Sequence, residues 1–156
     1  MDEKKRITNP NQRYLCARFF MPMLLASTLK TVLNISSNGG HNTMLGASAY
    51  QMSKFALARL TEFLTMDYYE QGLVAIVLHP GGVVTEAGLN MPERYHFFLT
   101  DTPELAGDFM TWLCREKRDW LSGRWVNVKW DAEELLQKRE KIEADFSMLK
   151  FRMVLG

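Results

Sequence analysis

Cysteine is scarce in this chain: Cys16 and Cys114 are the only two in 156 residues, with no CxxC spacing and no nearby pair of histidines. Neither a zinc site nor a disulfide framework is indicated, and buried free thiols are expected. An excess of one charge is also missing. Lys and Arg total 19 against 18 acidic residues, a formal charge of +1, which leaves no electrostatic footprint for nucleic acid or an anionic membrane. Long apolar runs are absent too. The stretch from Tyr14 to Ala26 follows Asp2-Glu3-Lys4-Lys5-Arg6 much as a signal peptide would, but Arg18 and Pro22 interrupt it, and it falls short of the ~20 residues a membrane span needs. It reads as a buried helix in a soluble protein of a reducing compartment. The terminal Met153-Val154-Leu155-Gly156 is no peroxisomal or retention signal, so the cytoplasm is the expected location. His41, His79 and His96 share no metal-binding spacing, and His79, inside an apolar run, reads as a satisfied core residue. No internal repeat or low-complexity segment is present.

What remains is an ordinary globular composition, 47% hydrophobic and 24% charged, enough for a single domain with a core. Apolar spacing predicts a first helix over about Asn11 to Thr28, with Leu15, Phe19, Met23 and Ala26 returning every three or four residues on one face. Its apolar content on every side implies burial against a sheet, a second helix or a subunit interface. The β-branched run Thr31 to Ser36 then reads as a strand entering a loop at Asn38-Gly39-Gly40. A long helix follows from Ala47 to Glu70, with Tyr50, Lys54, Leu57, Thr61, Leu64 and Tyr68 on one face and Gly72 as its C′ residue. Leu73 to His79 is almost continuously apolar, as a parallel strand buried on both faces would be. Pro80-Gly81-Gly82 ends it. A mixed loop over Glu86 to Thr100 carries a short helix near Pro92 to His96; Thr102 and Pro103 then cap a helix reaching about Lys117. Gly123 to Lys129 is the third strand. Beyond Asp131 the chain reads as helical, with Leu135, Ile142, Phe146, Leu149 and Met153 on a common stripe. The alternation implies an open, mostly parallel α/β sheet with crossover helices. Three strands with so much helix leave an unprotected edge, so the sheet as read is incomplete.

Tyr50 and Lys54 stand at i and i+4, on the same helix face one turn apart. A tyrosine hydroxyl titrates near ~10 unperturbed, and a neighbouring ammonium favours its anion, so such a pair can pass a proton to or from an alcohol oxygen. The same four-residue spacing also arises as a solvated lysine beside a half-buried tyrosine. Ser37 lies at the C-terminal end of a predicted strand, the edge where open α/β sheets place ligands; its hydroxyl can donate to a carbonyl oxygen as charge develops there, or simply begin the loop. Pro80-Gly81-Gly82 is either a tight turn or a backbone surface that a flat ring can approach closely, and the hydroxyl of Thr85 can bond an amide or phosphate oxygen.

Taken together, Asn34-Ile35-Ser36-Ser37, Tyr50-Gln51-Met52-Ser53-Lys54 and Pro80-Gly81-Gly82-Val83-Val84-Thr85 resemble the short-chain dehydrogenase/reductase family, in that family's order and spacing, over about Asn9 to Trp130. Trp130-Asp131-Ala132-Glu133-Glu134-Leu135 further resembles its filamentous-fungal branch. The resemblance implies a Rossmann-like, doubly wound α/β domain over 1–130 and a helical C-terminal tail over 131–156. It implies NAD or NADP as cofactor, a small-molecule ketone or alcohol as substrate, and a homo-oligomer or pairing with a full-length relative. Tyr50 would be the general acid/base, Lys54 would support it and hold the nicotinamide ribose, and Ser37 would orient the carbonyl. Pro80, Gly81, Val83 and Thr85 would line the cofactor. Asn9 stands where the family places an asparagine of the proton relay, although Pro10 follows it directly and Asn9 reads equally as a helix cap. His41, after Ser37, would at most touch substrate, and Met44, Met91, Tyr95 and Phe97 would wall the pocket.

One expected part is missing. A family member opens with a strand, a glycine-rich turn and a helix whose backbone N–H groups bind pyrophosphate. Gly39-Gly40 follows the serine strand and cannot serve, and no residue can be assigned to choosing NAD or NADP. About three βα units, on the order of 100 residues at ~30 each, are expected to be absent. Two expectations follow: a truncated oxidoreductase, or a catalytically inactive remnant acting as an interaction or dimerisation module.

Overall fold

The computed structural model describes residues 10–153 and 155. Three strands form one parallel sheet in the order β1-β2-β3: β1 is Thr31–Ile35, β2 Val74–His79 and β3 Trp125–Asn127. Helix α1 (Pro10–Ala26) precedes β1, α2 (Ser48–Asp67) links β1 to β2, and α4 (Pro103–Cys114) lies between β2 and β3. A four-residue helix α3 (Glu86–Leu89) sits in the loop after β2, and α5 (Ala132–Gln137) and α6 (Arg139–Ala144) follow β3. This is the expected α/β class with its parallel crossovers.

Alternation along β2 divides the interior in two. Val74, Ile76 and Leu78 face a core completed by Phe109 and Leu113 of α4, Trp120, Leu121, Val126, Leu135 and Ile142. Leu73 and Ala75 face the other way, toward Met21 of α1 and Leu64 of α2. The sheet therefore has helices on both faces, and β2, flanked by a strand on each side, is buried along its whole length. Thr102 caps α4 through the Leu105 N–H, as expected, and Asp131 caps α5 through the N–H groups of Glu133 and Glu134.

Several expectations are corrected. Helix α1, expected buried, exposes the Leu15-Phe19-Met23 stripe: Phe19 is 75% and Met23 70% exposed, while Met21, Ala17, Leu24 and Leu25 make the contacts. With apolar residues all round, periodicity could not choose the face. Cys16 and Cys114 are both exposed. Gly72 does not close α2. The helix ends at Asp67 with Tyr68 as its cap, and Gly72, at φ +76°, serves the turn entering β2. The short helix near Pro92 is a 3-10 turn over Glu93–Phe98. The C-terminal stripe breaks up: Leu135 and Ile142 are buried, but the helices stop at Ala144 and Met153 is exposed. The segment after α6 turns back along β3, where the Trp125 N–H donates to Leu149 O and the Arg124 guanidinium to the carbonyls of Asp145 and Met148.

Candidate active site

Strand β1 ends at Ile35, and the next residue fastens it: the buried Ser36 hydroxyl donates to Lys54 O at 3.0 Å, and its N–H to Leu78 O at 2.7 Å. Ser37 caps the 3-10 turn Asn38–Gly40, its Oγ accepting from the Gly39 N–H at 3.1 Å. Tyr50 lies in the first turn of α2 and is 46% exposed. The two meet at Gly39. A Cβ there would stand 3.3 Å from Tyr50 Cε1, a tight contact, and 3.5 Å from Ser37 Oγ, an ordinary one, so hydroxyl and ring flank the same glycine.

Lys54 is buried beneath this corner. Its Nζ donates to Ile35 O at 2.9 Å and lies 5.6 Å from the centre of the Tyr50 ring. Burial, with repulsion from Arg13, lowers its pKa to about 8. An ammonium has three donors, and Ile35 takes one. The structure thus places Ser37, Tyr50 and Lys54 around Gly39 and the end of β1. Asn9 lies outside the described residues.

The Pro80–Val83 turn leaves β2 on the same edge of the sheet. Its glycines have a local reason. Gly81 sits at φ +82° and a Cβ there would stand 2.9 Å from Asp101 Oδ2; at Gly82 it would collide with the carbonyl of Phe98. Thr85 is exposed, and its Oγ1 caps α3 by accepting the Gly88 N–H at 3.0 Å. Of the other expected residues, His79 is buried, and its Nδ1 accepts the Asn38 N–H at 3.3 Å. Burial lowers its pKa to about 4. His41 packs over Trp125 and Phe151. Tyr95 reaches Leu45 O at 3.5 Å, so the loop after β2 touches the loop before α2, whereas Phe97 is exposed.

Sequence reasoning missed three contributors. Gln51, next to Tyr50, ties down the loop after Ser37: its Oε1 accepts from the Met44 N–H at 2.9 Å and its Nε2 donates to Asn42 O at 2.7 Å. Arg13 brings a second cation near Lys54. Asp101 holds the Pro-Gly-Gly turn, its Oδ2 accepting from the Gly82 N–H at 2.7 Å. Adjacency could have flagged Gln51. Nothing in the sequence links Asp101 to Gly82.

A parallel sheet with helices on both faces and a Ser-Tyr-Lys corner at its C-terminal edge defines a dehydrogenase-type α/β domain. The family model described as short chain dehydrogenase matches residues 7–95, and the chain belongs to that family. It is 44% identical over 142 residues to the short chain dehydrogenase mpl6 of Monascus purpureus, covering 91% of this chain and 48% of that relative. It is 43% identical over 129 residues to the short chain dehydrogenase andI of Emericella variicolor, covering 83% and 44%. Among solved structures, NADPH-bound carbonyl reductase from chicken fatty liver superposes with a TM-score of 0.66 at 25% identity, covering 82% of this chain and 56% of that one. The chain spans about half the length of the curated relatives it matches. Among the described residues no helix is long and apolar enough to cross a membrane, and no group of three or more His, Cys, Asp and Glu could hold a metal ion.

Proposed function

We propose that this chain is the catalytic half of an NAD(P)-dependent oxidoreductase that interconverts a small-molecule ketone and its secondary alcohol. The observation that carries the reading is the meeting of Ser37 Oγ and the Tyr50 ring at Gly39, with the Lys54 ammonium 5.6 Å from that ring. The donor set suits a nicotinamide cofactor: Lys54 has spare donors for ribose hydroxyls, and the Pro80–Val83 turn and Thr85 flank the same edge. When bound, the cofactor supplies or accepts the hydride. The chain's residues handle the proton. Ser37 donates to the carbonyl oxygen, Tyr50 gives that oxygen its proton as the alcohol forms and takes it back in the reverse direction, and Lys54 offsets negative charge on the phenol oxygen meanwhile. Asn9 would extend the proton relay through a water. The setting that fits this reading is the cytoplasm.

Fluorescence titration of the purified chain with NADPH and NADH tests the reading, with saturable binding of at least one expected. No binding of either at millimolar concentration would sink it. Given binding, Tyr50→Phe should abolish turnover of a carbonyl panel while leaving affinity within about threefold, the pattern for loss of a group acting in the transition state.

A second reading, an interaction module, is favoured by the apolar surface on the two long helices. Tyr14, Leu15, Phe19, Phe20 and Met23 of α1 and Met52, Phe63 and Met66 of α2 are exposed, apolar side chains of the kind that mark interaction surfaces where they cluster. We propose that this surface pairs with a second copy or a full-length relative. Sedimentation across a concentration series tests it, and a monomer at every concentration and with added relative would refute it.

A further inference from the structure

The loop that leaves β2 and returns to α4 closes on one residue. Gly82 and Asp101 exchange two bonds: the Gly82 N–H donates to Asp101 Oδ2 at 2.7 Å, and the Asp101 N–H donates to Gly82 O at 2.9 Å. Val83 bridges Asp101 in parallel register. The other carboxylate oxygen of Asp101 pairs with Lys129 Nζ at 3.0 Å, just beyond β3. One side chain, only 9% exposed, therefore ties together the end of β2, the end of β3 and both ends of the intervening loop. Gly81 and Gly82 make room for it and for the Phe98 backbone, which explains the glycine pair without any ligand. Burial opposes the charge on Asp101, but the Gly82 N–H and Lys129 outweigh it and hold the carboxyl below its usual range.

We infer that Asp101 is a positioning residue for the cofactor, fixing the Pro80–Val83 turn where a nicotinamide would lie. The inference rests on the dehydrogenase reading. Of its two bonds, the one to backbone matters more. A carboxylate accepting a part-buried N–H makes a strong, directional hydrogen bond, whereas Lys129 is half-exposed and its ion pair is screened.

The test compares D101A, D101N and K129M. Amide exchange at Gly82, followed by NMR, reports the clamp directly, and NADPH titration reports its consequence. Exchange should accelerate at least ~10-fold in D101A, only ~2-fold in K129M, and by an intermediate factor in D101N, which keeps an acceptor for the N–H but not the charge. NADPH affinity should fall in the same order, by about 10-fold in D101A. Unchanged Gly82 exchange in both Asp101 variants overturns the clamp. Faster exchange with undiminished NADPH affinity overturns the positioning role. Failure of the unaltered chain to bind NADPH is a different result: it removes the dehydrogenase reading and the positioning role with it, while the exchange ratios still show whether the carboxylate holds the turn. If D101A does not fold, the order of D101N and K129M decides.

Discussion

The two neighbouring strands β1 and β2 make different use of similar residues. Ala75, Ile76 and Leu78 of β2 are sealed from solvent, whereas every residue of β1 is half-buried. Both are short and rich in β-branched or aliphatic residues. What separates them is cover. Strand β2 has a strand on each side and a packed layer on each face, while β1 pairs only with β2 among the described residues and its helix-facing Asn34 spends its amide on Thr61 Oγ1 at 2.9 Å. The helices repeat the contrast. Phe109 and Leu113 of α4 are buried, yet the larger apolar residues of α1 stand in solvent. An apolar run says what can be buried; the number of layers around it decides what is.

The largest effect that would break this comparison is a matched pair of truncations. Ile76→Ala, in the fully enclosed strand, should cost about 3 kcal/mol because the rigid surroundings cannot collapse into the space, and Leu33→Ala in β1 about 1 kcal/mol. Urea unfolding of both variants measures this, and equal losses would show that β1 is as enclosed as β2. Acid should act next, through His79. Its folded pKa of about 4 lies below the 6.5 of the free side chain, so between those values the unfolded chain binds the extra proton. Stability is full above pH 6.5 and falls as pH drops toward 4, by on the order of 2 kcal/mol after allowance for screening. His79→Asn keeps an acceptor for Asn38 without the titration, and its stability should be flatter over that window. An identical acid profile in the variant would place the proton elsewhere.

The contrast also explains how far the residues could be read in advance. Strand β2 and the cap at Thr102 were legible because continuous apolar character and a threonine before proline each have one physical meaning. The candidate corner could be proposed in advance too, because Tyr50 and Lys54 share a helix face by spacing and Ser37 follows a strand. The inward face of α1 was not legible, since Leu15, Phe19 and Met23 are as apolar as Ala17, Met21 and Leu24, and only the positions of the sheet and α2 select between them. The glycines after Pro80 were visible, but their cause was not. Asp101 meets Gly82 across 19 residues through a bond from a backbone N–H to its carboxylate, and such a contact leaves no periodic trace.

A smaller effect separates function from stability at the corner itself. Lys54 titrates near 8 instead of 10.5 because burial and Arg13 disfavour its charge. At pH 7 the folded chain therefore bears an ammonium that the unfolded chain carries more easily, and this penalty fades as pH rises from 8 through 10.5. Lys54→Met should raise stability by about 1 kcal/mol at pH 7, net of the lost bond to Ile35 O, with a smaller gain at pH 10.5. The same substitution should abolish turnover and weaken NADPH binding. A destabilised Lys54→Met at neutral pH would mean that the bond to Ile35 outweighs the burial of charge.

The smallest expected change lies on the open side. Phe19→Ser and Met23→Ser remove side chains that touch little in the monomer, so each should leave its unfolding free energy within about 0.5 kcal/mol. Their effect should appear in association instead. If the α1 surface is covered by a second copy, the double variant should stay monomeric at concentrations where the unaltered chain assembles, as sedimentation would record. Should both chains sediment alike while assembled, the contact lies on another face. A loss of monomer stability well above 0.5 kcal/mol would instead mean that α1 buries these residues within its own chain, and the contrast between its two faces would fail.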